Sequence, residues 1–111
     1  MFSLFFEMGI KIHFEIASVL NKNIRVTKDY WNKIIKTKHK IMENKENLVK
    51  ETLRKPDELR MSKKDSAVFL YYKKLNGKYC CVVAKHLNGK GFIITAYITD
   101  KIKIGEKYET N

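Results

Sequence analysis

The 111-residue sequence predicts a single α+β domain, with N-terminal helices packed on an antiparallel sheet of four or more strands. Three observations carry that expectation. Apolar residues recur at helical spacing between residues 27 and 55. The spacing changes to a period of two after Pro56. Two Asn-Gly pairs then punctuate the second half of the chain.

Residues 2–16 open the chain with FSLFFEMGIKIHFEI. Ile10, Ile12, Phe14 and Ile16 alternate there with Lys11, His13 and Glu15, the pattern of a half-buried strand. His13 falls on the polar face and is expected to be solvated. Residues 21–23 read as a turn. Thr27 is an expected N-cap, because its hydroxyl can accept from the first free amides of a helix. Trp31, Ile34, Ile35 and Met42 follow as an apolar stripe, and His39 lies beside it near the C-terminal end. A second amphipathic segment runs from about Asn44 to Lys55, with Leu48, Val49, Thr52 and Leu53 inward. Pro56 ends it, since proline has no amide hydrogen for the ladder. Strands are then expected at 59–62, 68–74, 79–87 and 92–99. Asn76-Gly77 and Asn88-Gly89 are hairpin turns, because these residues tolerate positive φ. On the last strand, strict alternation sets Phe92, Ile94, Ala96 and Ile98 against Ile93, Thr95, Tyr97 and Thr99. Gly105 marks a final turn.

Net charge is +11, built on 20 lysines and only 3 arginines. Residues 1–20 carry a net of −1, residues 21–64 a net of +8 and residues 65–111 a net of +4, so the middle of the chain holds most of the field. Such a field draws polyanions. Nucleic acid, an anionic membrane and an acidic protein all satisfy it, and lysine used only for solubility accounts for it too. The N-terminus lacks a basic n-region and a small-residue cleavage site, and Glu7 and Lys11 interrupt its apolar run. A cytoplasmic protein that makes no use of a membrane is therefore expected. Cys80 and Cys81 are adjacent, so on a strand they point to opposite faces, and they read as buried thiols in a reducing compartment.

Several chemistries find no support in the motifs. The sequence has no phosphate-binding loop, no dinucleotide fingerprint and no zinc-ligand spacing. Asp57-Glu58 and Glu106 to Glu109 read as cap and tail positions. No metal and no cofactor are expected. Cleavage of RNA without a metal needs a base for the 2′-hydroxyl, an acid for the leaving oxygen and donors for the phosphate. His39 titrates in the right range, Arg60 offers a planar fork, and Thr95 and Tyr97 offer hydroxyls. The plainer account is a solvated histidine and an ordinary polar sheet face, since Thr and Tyr favour strands.

The segments VTKDYWNKIIKTKH (26–39), TLRKPDELRMSKKD (52–65), VFLYYKK (68–74), YCCVVAKHL (79–87) and FIITAYITDKIKIGE (92–106) resemble the barnase, EndoU, colicin and RelE-like group of small, often toxin-like nucleases (the BECR fold). The resemblance covers a nuclease-like core of residues 24–106, with 1–23 as an N-terminal strand extension. It implies a RelE- or barnase-like fold and metal-independent endoribonuclease activity giving a 2′,3′-cyclic phosphate. It places the catalytic histidine at His39, the basic residue at Arg60 and the hydroxyls at Thr95 and Tyr97. Tyr72 and Lys73 match an aromatic–basic pair. Lys36, Lys38, Lys40, Lys63 and Lys85 would line the RNA track, with Lys33 beside them, so binding should weaken steeply with salt. RNA is the expected partner, and a neutralising antitoxin protein would accompany a toxin. Two alternatives stand beside this reading. One is a non-catalytic RNA-binding domain on the same scaffold. The other is a protein-interaction module, a homodimer included, that uses Phe2, Leu4, Phe5 and Phe6.

Overall fold

The computed structural model describes residues 11–102 and the short strand at 106–107. The apolar residues at 2, 4, 5 and 6, and Gly105, lie outside the described residues. The chain forms β1 (Ile12–Ala17), β2 (Asn23–Thr27), α1 (Lys28–Lys33), α2 (Glu46–Arg54), β3 (Glu58–Met61), β4 (Val68–Lys74), β5 (Tyr79–His86), β6 (Lys90–Thr99) and β7 (Glu106–Lys107). The strands make one sheet in the order β1-β2-β6-β5-β4-β3-β7. The fold is α+β. Among the described residues no helix is long and apolar enough to cross a membrane.

Two features of the expected architecture are corrected. The sheet is mixed: β2 runs parallel to β6 over Asn23–Lys90, Ile24–Gly91 and Arg25–Phe92. The helices do not come first, because the β1–β2 hairpin precedes them and is itself part of the sheet. A boundary drawn between residues 23 and 24 falls inside β2. From β3 to β6 the neighbours pair antiparallel, as hairpin-linked strands must.

Local chemistry explains most element ends. The Thr27 hydroxyl accepts from the Tyr30 amide (3.1 Å) and opens α1. Regular α-helix stops at Lys33, earlier than the apolar stripe suggests. Residues 34–38 continue as a wider turn in which the His39 amide reaches back to the Ile34 carbonyl (2.7 Å). His39 itself turns to φ −142° and ψ 77° and breaks the ladder. Trp31, Ile34 and Met42 are nevertheless all buried. In the two hairpins only the glycines use positive φ, Gly77 at 78° and Gly89 at 73°. Gly91 is required for a different reason: a Cβ there would collide with the Lys85 carbonyl across the β5–β6 pair.

The main core lies on one face of the sheet. Val49 and Leu53 of α2 pack there with Phe69 and Tyr71 of β4, Cys80, Val82 and Ala84 of β5, and Ile93 and Ala96 of β6. Ile93 was expected on the opposite face, beside Thr95. An irregularity corrects that: Val83 pairs with Thr95 but Ala84 with Ile93, so Ile94 is the extra residue of a bulge and the alternation changes phase. His13 also departs from its expected solvation. It is half-buried, bonds Glu46 (2.8 Å) and stacks on Trp31 with centroids 6.1 Å apart. Cys80 and Cys81 are not disulfide-bonded, and they are buried on opposite faces.

At the rim of the core the Tyr71 hydroxyl bonds both Ser18 Oγ (3.0 Å) and His86 Nε2 (2.8 Å). The His86 ring stacks on Phe69 at 4.2 Å. Burial, aided by the Lys22 ammonium, pushes its pKa down to about 4. The unfolded chain therefore takes up a proton near pH 6.5 that the native ring resists. Stability from this site is complete above that pH and is lost as the pH falls through about 4. Discounted for partial solvent screening, the loss is roughly 2 kcal/mol. Urea midpoints should fall between pH 7 and pH 4 in the parent, and the His86→Gln variant should show a flatter curve. An unchanged slope in the variant would assign the acid loss to other groups.

Candidate functional site

The second face of the sheet mixes polar and apolar residues. Residues paired across strands share a face, so the registers build it row by row. Glu58 pairs with Tyr72, Tyr72 with Cys81, and Cys81 with Tyr97. The neighbouring row runs Arg60, Leu70, Val83, Thr95. Next comes Val68, Lys85, Phe92, Arg25. A small cluster of Leu70, Tyr72 and Cys81 supports the floor, with Tyr79, Val83, Tyr97 and Ile102 partly buried against it.

A cavity of about 470 Å³ opens above these rows. Arg60, Lys63, Thr95 and Tyr97 line it, together with Met61 and Leu70. His39 reaches Tyr97 from the helical side. Its ring lies 5.4 Å from that of Tyr97, tilted by 36°. Of the four residues expected to carry the chemistry, Arg60, Thr95 and Tyr97 line this cavity, and His39 lies against Tyr97. Because β6 leaves β2 after Phe92, its C-terminal half has room beside it for the turn that carries His39.

Burial sets the protonation states of His39 and Tyr97. Partial burial lowers the His39 pKa, and the adjacent Lys38 ammonium lowers it further, so the ring is neutral at neutral pH. Burial raises the Tyr97 phenol well above its ordinary range, and hydrogen bonding with Cys81 and Tyr72 adds to the rise. Tyr97 therefore keeps its proton and can donate it only to a strongly basic oxygen. The Thr95 hydroxyl makes no hydrogen bond among the described residues. Arg60 pairs with Glu58, its neighbour two residues back on the same strand face.

Glu58 is the residue that sequence reasoning missed. It read as a cap, yet β3 starts there and turns its side chain toward Arg60. The available signal was the i, i+2 spacing of Glu58 and Arg60, with Glu58 directly before the segment 59–62 read as a strand. Other expected residues fall elsewhere. Tyr72 shares the face but is fully buried beneath it. Lys73 points to the opposite face, where its ammonium donates to the Lys55 carbonyl (3.1 Å). Lys36, Lys38 and Lys40 are exposed on the turns around His39, and Lys40 lies 3.8 Å from Glu43. Lys85 stands at the rim and bonds Asp65 at 3.0 Å.

No family model, no curated protein and no solved structure matches the chain. Function rests on the site alone.

Proposed function

We propose that the protein is a small, toxin-like endoribonuclease of the barnase and RelE kind, cutting RNA by attack of a 2′-hydroxyl to leave a 2′,3′-cyclic phosphate. One observation carries the reading: cross-strand register brings Arg60, Thr95 and Tyr97 to one cavity while the neutral ring of His39 lies against Tyr97. Neutral His39 takes the 2′-hydroxyl proton. Arg60, oriented by Glu58, grips the phosphate as it gains charge. Thr95 donates to a phosphate oxygen, and the phenol of Tyr97 supplies a proton to the departing 5′-oxygen. The surrounding lysines hold the RNA backbone, which suits a chain of charge +11.

The test uses total RNA and tRNA in EDTA, with the parent beside His39→Ala and Tyr97→Phe. Cleavage should persist in EDTA and fall at least about tenfold in each variant, a barrier change of ~1.4 kcal/mol. The low-pH limb of the parent's rate profile should have a midpoint below the ordinary histidine value of about 6.5, and it should vanish with His39. Salt-sensitive binding without cleavage, equal in all three proteins, would replace this reading with a non-catalytic RNA-binding domain.

A further inference from the structure

The row beside the cavity has a composition that cleavage chemistry does not call for. Phe92 is 41% exposed on a sheet face. Register sets it directly between two cations, Arg25 on β2 and Lys85 on β5. This row follows the Arg60–Thr95 row two residues further along β5, a distance of ~7 Å. Next to Phe92, where β2 and β6 part, a second cavity of about 300 Å³ opens. Arg25, Thr27, Tyr30 and Ile93 line it with Phe92. The Tyr30 hydroxyl donates to the Ile94 carbonyl at the bulge (2.7 Å), which fixes the phenol as a wall of the notch.

A flat aromatic face with a cation on each side is the arrangement that single-stranded nucleic acid uses, bases on the ring and phosphates on the cations. The two cations are not locked away. Arg25 lies 3.7 Å from Glu15 and Lys85 3.0 Å from Asp65, and all four side chains are well exposed. Exposed pairs of this kind are worth little and exchange readily for a phosphate. A protein partner fits less well, because one aromatic ring between two cations offers little contiguous apolar surface.

We infer that Phe92, with Arg25 and Lys85, forms a base-stacking subsite for a single-stranded nucleotide next to the one held at Arg60 and Thr95. The inference rests on the RNA reading of the cavity and adds where the neighbouring base goes. The bulge at Ile94 serves this subsite, because it turns Ile93 into the core and leaves Phe92 on the same face as Thr95. Sequence specificity is expected to be low, since every base has a face to stack.

The probe is a short fluorescein-labelled oligonucleotide with 2′-O-methyl riboses, which cannot be cut by 2′-hydroxyl attack. Binding is read by anisotropy at low salt. Phe92→Ala should weaken it about tenfold, within the range of one lost base–aromatic stack. Phe92→Trp should bind as the parent does, and its exposed indole should be quenched as the probe saturates, an outcome that also shows the variant is folded. An abasic probe of equal charge should bind the parent no better than the full probe binds Phe92→Ala. Parent-like affinity in Phe92→Ala, an unquenched Phe92→Trp, or equal binding of abasic and base-bearing probes would each overturn the subsite. Because the probe is uncleavable, these results are independent of catalysis. A parent that binds through Phe92 but leaves ordinary RNA intact would keep the subsite and remove the nuclease.

Discussion

Arg60→Ala is expected to slow RNA cleavage by about 10²–10³-fold, the usual cost of losing a donor that faces charge developing in the transition state. The guanidinium sits in the row that ends at Thr95, on the face where Tyr97 and His39 meet. Its planar fork can hold two phosphate oxygens at once. Arg60→Lys should therefore recover only part of the loss, because an ammonium is a point charge. Stability complicates the simple variant. Glu58 and Arg60 are only 20% and 24% exposed, so truncating the arginine strands a carboxylate in a partly dry site. The Arg60→Ala/Glu58→Gln double variant separates the two effects. It should regain the unfolding midpoint that Arg60→Ala loses, yet remain as poor a nuclease. Single-turnover cleavage in EDTA, measured beside urea unfolding, reads both. Arg60→Ala cutting at the parent rate would remove the phosphate role from this residue.

How much of this was legible depends on whether the signal is local. Strands β4, β5 and β6 stand nearly where alternation and the Asn-Gly pairs put them, because period and turn chemistry are properties of neighbouring residues. The Thr27 cap was legible for the same reason. The parallel pairing of β2 with β6 was not, since it joins segments more than sixty residues apart and leaves no local mark. Nor was the bulge, which changes the phase of β6 by one residue and moves Ile93 from the site face to the core. The site shows the same division. Thr95 and Tyr97 share a face by simple parity, and parity alone could have separated Tyr72 from Lys73. That Arg60 stands opposite Thr95, three strands away, follows only from the registers of three strand pairs. His39 reaches Tyr97 because the helix loosens and breaks at that residue, which a regular stripe from Trp31 to Met42 does not suggest.

Trp31 bears on both fold and site, and Trp31→Ala is expected to cost about 3–5 kcal/mol of stability. The indole is 2% exposed. Phe14 of β1 meets it edge-on at 6.0 Å, and His13 stacks on it at 6.1 Å. Trp31 therefore fastens the first turn of α1 to the N-terminal hairpin. Domains of this size are typically stable by about 5–15 kcal/mol, so this one truncation removes a large share. Trp31→Phe keeps the edge contact with Phe14 and should lose much less. The consequence travels along the chain as well as through the core. His39 follows Trp31 by two helical turns, one of them the wide turn at 34–38, and its ring is placed on Tyr97 only if that turn is seated. Under conditions where Trp31→Ala is still folded, its cleavage rate should therefore drop, while binding of an uncleavable oligonucleotide through Phe92 should hold. Urea unfolding followed by circular dichroism measures the first effect and single-turnover cleavage the second. A stability loss under about 1 kcal/mol would place Trp31 outside the packed core. Full activity in a destabilised Trp31→Ala would mean that His39 is seated by its other neighbours.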